Sequence, residues 1–204
     1  MELKEKYQIL IEARNFHYDN FNKWMTYFYV AVGTIFIGYT TVISSQKDLI
    51  MVEWLLLLLG YITGLLWYWS CKGYYYWNIN FISLVNYYET ELFKWSKKER
   101  IYSVFANKST ENDYVSPISG ANISSSKVAI LFAFIITCFW GFILSYKLLN
   151  NIICFCDCKA FIYISSLFTS TISTLIFSVL VPKSFLKSKI DHFPDLGIKQ
   201  KKND

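Results

Sequence analysis

Four stretches of the chain contain no Asp, Glu, Lys or Arg: Trp24 to Gln46, Trp54 to Cys71, Val128 to Tyr146, and Ala160 to Pro182. Each runs for about 18 to 23 residues, and a helix rising ~1.5 Å per residue over that length crosses a hydrocarbon core of ~30 Å. A soluble chain of 204 residues could not supply the outer layer needed to cover four such helices. The pattern therefore predicts four transmembrane helices. The shortest block is flanked by Trp54, Trp67, Tyr68 and Trp69, the aromatic belt expected at headgroup level.

The helical elements should outrun the apolar blocks. No proline or glycine run interrupts the chain from Glu2 to about Ser45, or from Trp54 to about Lys98. Read as helices, each is roughly 65 Å long, about twice the bilayer core. The short link between them makes an antiparallel hairpin whose excess projects from the membrane as a two-helix stalk. Leu3, Tyr7, Leu10, Arg14, His17, Phe21 and Trp24 alternate at spacings of three and four, the pattern of a packing seam. Trp77, Phe81, Leu84, Tyr88 and Trp95 nearly repeat it on the second helix. A fold at 47–50 sets Asp19 near Asn78 and His17 near Asn80.

Four segments follow. Residues 1–106 form the long hairpin, with spans at about 25–45 and 53–71. Residues 107–127, polar and carrying Pro117 and Gly120, form a loop. Residues 128–182 form a second transmembrane hairpin, and 183–204 a basic tail. The fold class is an all-α membrane protein of two antiparallel hairpins, the first extended into a cytoplasmic stalk.

Composition agrees: 54% of residues are hydrophobic, and they are blocked rather than dispersed. The net charge of +5 follows the membrane sides. Lys4, Lys6, Arg14 and Lys23 precede the first span; Lys72, Lys94, Lys97, Lys98, Arg100, Lys108 and Lys127 separate the second and third; six lysines follow the fourth. The alternate loops hold only Lys47, Lys147 and Lys159. By the positive-inside rule both termini and the middle segment are expected in the cytoplasm. The charge is a topology signal, so no nucleic-acid partner is expected. The charged N-terminus and the long aromatic first span do not resemble a cleavable leader, and that span is expected to stay as an anchor.

The segment CKGYYYWNINFISLVNYYE at 71–89 resembles the region after the second span in the RipA-like octameric membrane protein family. The resemblance rests on Lys72, Gly73, Trp77, Asn80, Phe81 and Glu89. It extends to Arg14, Trp24, Phe28 and Gly33 in the first helix and to Ser126-Lys127 before the third. Lys72 stands where the family usually has Arg, which loses bidentate hydrogen bonding. The resemblance implies a bacterial inner-membrane homo-oligomer, an octamer, and brings no catalytic residues with it.

Arg14, His17, Lys72, Gly73, Trp77, Asn80 and Glu89 form the candidate network of the stalk or oligomer. A charged group on a packing seam needs a partner, and Glu89 or Glu91 could supply one to Arg14. A subunit-registry or gating network and a partly solvated structural pair are both open readings. His17 could sense pH or hydrogen-bond to Asn80. In the fourth span Ser166, Thr169, Ser170, Ser173 and Thr174 share a face, suited to close helix packing or, alternatively, to a water-lined pore. Cys154, Cys156 and Cys158 form a C-x-C-x-C run open to soft-metal, disulfide or incidental readings.

No nucleophile–base set, phosphate loop or metal-ligand spacing occurs around His17 or His192. The chain is thus expected to have no catalytic residues, no metal and no cofactor. Its expected partners are copies of itself, membrane lipids including anionic headgroups, and a cytoplasmic protein on the stalk. Two functions are open: a membrane scaffold or partner-binding assembly, and a channel or inducible pore acting as a stress or phage-defence effector.

Overall fold

The computed structural model describes residues 2–101, 113–152 and 159–186. Cys154, Cys156, Cys158, His192, the basic tail beyond 186 and part of the middle loop lie outside the described residues. The protein is all-α. Its helices are α1 (Leu3–Ile43), α2 (Ile50–Tyr87), α3 (Ser125–Ile152) and α4 (Lys159–Val181), and α4 continues into a wider turn at Pro182–Leu186. Among the described residues, four helices are long and apolar enough to cross a membrane.

α1 is a single helix of 41 residues. Its start is set by a capping box in which the Glu2 backbone N–H donates to Glu5 Oε2 at 2.9 Å. α2 packs antiparallel to it: Tyr7 meets Glu89, His17 meets Tyr74, Met25 meets Trp67 and Cys71, and Gly38 faces Leu56. The seam differs from the predicted one at three places. Trp24 turns outward and Met25 takes the buried position, because a 3.6-residue repeat drifts against a strict three-four alternation. Leu3 and Trp77 are also exposed, Leu3 near the free end of the helix and Trp77 on the flank of α2.

α2 stops earlier than the predicted Lys98. After Tyr87 the chain enters a wide turn, Tyr88–Leu92, in which the Phe93 N–H donates to the Tyr88 carbonyl at 2.9 Å. The Trp95 N–H then reaches the Glu89 carbonyl at 3.0 Å, and Lys94 takes a left-handed φ of 54°. No glycine or proline marks this end. The reversal is held by rings instead: Phe93 and Trp95 stack on each other and set their edges against Tyr7.

The membrane-crossing core gathers α1, α2 and α3 around Trp67. Its ring lies parallel to Phe28 and edge-on to Tyr29 and Phe132, and its Nε1–H donates to Met25 Sδ at 3.2 Å. Ile35, Leu57, Tyr61, Leu65 and Trp140 form a second buried cluster further along. α4 lies against α3 and touches α2 through Tyr61. The outward sides of the spans are apolar, with Ile37, Met51, Ile164 and Phe168 among the most exposed residues. An apolar surface this extensive is suited to lipid or to other membrane helices, not to water.

Candidate functional site

Two regions hold the polar groups buried within this apolar bundle. The first is the face joining α2, α3 and α4. On α2, Gly60 and Gly64 form a G-x-x-x-G pair, and small residues at that spacing let helices approach closely. A Cβ on Gly60 would lie 2.5 Å from the Trp140 ring, and one on Gly64 would lie 3.1 Å from the Thr137 Cα. Gly141 of α3 does the same for α4, since a Cβ there would sit 2.6 Å from Ser170 Oγ. The α2 glycine pair is legible in the sequence as a spacing motif, although the charge-free blocks alone do not reveal it.

The hydroxyls of α4 line up on this contact. Ser166, Ser170, Thr174 and Ser178 recur every four residues and are buried. Ser170 Oγ donates to the Cys138 carbonyl of α3 at 2.7 Å, and Thr174 Oγ1 lies 3.2 Å from the Tyr61 hydroxyl. Ser166 Oγ donates to the Ile162 carbonyl of its own helix. Of the predicted face, Ser166, Ser170 and Thr174 are brought together inside the bundle. Ser173 is half-buried, 3.4 Å from the Tyr61 hydroxyl, and Thr169 is exposed. Cys71 is buried and Cys138 half-buried, both as free thiols.

At one rim of this face Lys147 pairs with Glu53, and the Lys147 Nζ sits 5.1 Å from the Trp54 ring centroid. Glu53 occupies the first turn of α2, where a negative charge suits the helix dipole. Sequence reasoning counted Lys147 only as a loop charge and missed the pair.

The second region is the charged end of the α1–α2 hairpin. Glu89 is completely buried there and accepts a hydrogen bond of 2.5 Å from the Tyr7 hydroxyl. Leu10, Val85, Tyr88, Phe93 and Trp95 enclose the pair. Burial, followed by the hydrogen bond to Glu89 and its charge, pushes the Tyr7 hydroxyl well above the ordinary phenol range.

The other residues of the predicted network lie further along the hairpin. The Arg14 Nη1 donates to Asn15 Oδ1 at 3.1 Å. His17 is half-buried, with Nε2 3.5 Å from the Tyr74 carbonyl and its ring against Tyr74 and Phe81. Its predicted bond to Asn80 is replaced, because the Asn80 Nδ2 turns back to the Tyr76 carbonyl at 3.1 Å. Lys72 lies over the Tyr68 ring, while Gly73 and Trp77 are exposed on a flank of α2. Among the described residues no cluster of His, Cys, Asp and Glu is composed to hold a metal.

This architecture has a counterpart among known sequences. A family model described as the octameric membrane protein family (8xMP) matches residues 4–149, taking in α1, α2 and nearly all of α3. No curated protein and no solved structure matches the chain. The matched span covers well over half of the chain and contains both the buried Tyr7–Glu89 pair and the glycine-lined α2–α3 contact, and the chain belongs to the octameric membrane protein family.

Proposed function

We propose that the chain is a non-enzymatic membrane scaffold, a homo-oligomer of a bacterial inner membrane. Its charged α1–α2 end stands in the cytoplasm as a stalk and there contacts neighbouring copies and a cytoplasmic protein. The lysine and arginine bias supports cytoplasmic termini. Lys72 and Lys127, close to the ends of spans, are placed to contact anionic headgroups, each contributing about 1 kcal/mol.

The observation that carries this reading over a pore is the disposition of the α4 hydroxyls. A water-filled path needs polar groups facing a lumen. Here Ser166, Ser170, Thr174 and Ser178 are buried within the bundle, and the exposed side of α4 presents Phe161, Ile164, Phe168 and Leu175 beside Thr169. Ser170 and Thr174 reach the neighbouring helices, which supports helix packing as their use.

The test is ion flux in vesicles containing the purified oligomer. The scaffold reading expects a leak equal to that of empty vesicles. A leak abolished by Ser170→Leu or Ser173→Leu, with the oligomer intact, would replace it with a channel.

A further inference from the structure

The stalk presents large apolar side chains on both of its outward sides. On α1, Ile9 and Phe16 lie two turns apart on the face turned away from α2, exposed to 53% and 68%. They stand among Glu12, Asn15, Asp19 and Asn20. On α2, Tyr76 and Trp77 are 51% and 40% exposed, and Tyr87 is exposed further along. At Gly73, one turn from Trp77, no atom lies within 4 Å of where a Cβ would stand. On the part of the hairpin assigned above to the cytoplasm, these are among the large apolar groups able to enter a contact.

The hairpin's own contacts give these residues their heights. His17 packs on both Tyr74 and Phe81, so Phe16 is level with the turn from Trp77 to Asn80. Tyr7 packs on Tyr88, and Leu10 clusters with Val85, so Ile9 is level with Tyr87. The two outward sides therefore carry apolar groups at the same two heights. A ring of identical copies about an axis along the membrane normal leaves every residue at a fixed height. It also joins two different surfaces at each contact, as head-to-tail association requires.

We propose that neighbouring stalks pack head to tail, the Ile9–Phe16 face of α1 in one copy lying against the Gly73–Trp77–Tyr87 face of α2 in the next. Phe16 fills the space beside Trp77, and the absent side chain of Gly73 lets the neighbouring helix come close. This rests on the oligomeric reading above and assigns the surface that reading leaves open.

The experiment places a photo-crosslinking phenylalanine analogue at Phe16, and separately at Ile9, in the full chain in its membrane. The adducts are mapped by mass spectrometry, and the solubilised protein is sized by native mass spectrometry. Expected are covalent dimers linking position 16 to residues 73–80 of another copy and position 9 to the turn around Tyr87. Trp77→Ala should lower the yield from position 16 by about tenfold or more, as loss of a central aromatic anchor does. An oligomer that gives no such dimer, links position 16 to position 16, or links it only to lipid or another protein would overturn the proposed surface and leave the oligomeric reading standing. A monomer by native mass spectrometry would overturn both.

Discussion

The Tyr7 hydroxyl and the Glu89 carboxylate, 82 residues apart in sequence, meet at 2.5 Å across the end of the long hairpin. This polar contact lies inside an aromatic cluster and ties the start of α1 to the turn that ends α2. Burying a carboxyl group costs free energy that only hydrogen bonds return, so the pair specifies how the tip closes.

Removing the donor should open that tip. Tyr7→Phe preserves the ring contacts with Phe93 and Trp95 but deletes the hydrogen bond to Glu89. A loss of about 1–3 kcal/mol is expected in local stability. Hydrogen exchange is the measurement: amides in Leu3–Ile11 and Leu84–Leu92 should exchange faster, while those around Trp67 stay unchanged. Identical exchange in both proteins would mean the pair does not hold the tip.

The same pair gives the tip an alkaline limit. The Tyr7 hydroxyl is raised in the folded state, first by burial and then by Glu89. Its contribution is fully present below the ordinary tyrosine value of about 10 and is lost as pH rises above it, where the unfolded chain ionises first. The stability advantage of the native protein over Tyr7→Phe should thus be constant at neutral pH and shrink above about pH 10. Thermal melts of the two proteins across that range measure it, and a gap that widened with pH would contradict the sign.

Glycine substitutions should sort by location rather than by type. Gly60→Ala would drive a methyl group into the Trp140 ring, and Gly64→Ala would meet the Thr137 backbone; overpacking of this kind costs about 1–3 kcal/mol. At Gly33 nothing lies within 4 Å, so Gly33→Ala should be neutral or gain up to about 1 kcal/mol from helix propensity. Fluorescence-detected size exclusion after heating separates these outcomes. Equal losses at all three positions would show that the α2–α3 approach is not the reason for the glycines.

Topology can be read by labelling. With Cys154, Cys156 and Cys158 changed to serine, a membrane-impermeant maleimide should reach Gln46→Cys in intact bacterial spheroplasts. It should reach Ile118→Cys, at a position 95% exposed on the middle loop, only after permeabilisation. The reverse pattern would invert the chain and move the stalk out of the cytoplasm.

The four spans were legible because hydrocarbon excludes charge, and the gaps between charged residues are the lengths a bilayer demands. The seam was legible only approximately. Helical spacing identified Tyr7, Leu10, Arg14, His17 and Phe21, then placed Trp24 where Met25 packs. The turn after Tyr87 was hidden because no local breaker causes it. It depends on the Phe93 and Trp95 rings finding Tyr7, a contact between distant parts of the chain. The Ser166 and Ser170 face was visible as a helical stripe suited to close packing, but sequence alone left a lumen open as the alternative. The partner that occupies it, α3 with the Cys138 carbonyl, is a tertiary fact.

α1 runs without a break from Leu3 to Ile43, a rod about 60 Å long at ~1.5 Å per residue. On the proposed topology one half stands in water and the other in lipid, with no joint between them. A helix adapts to a thinner bilayer by tilting. On that topology such a tilt would swing the far end of α1, and the α2 turn latched to it, further than the movement at the membrane surface. The unbroken rod would then act as a lever, turning a change in membrane thickness into a displacement of its far end.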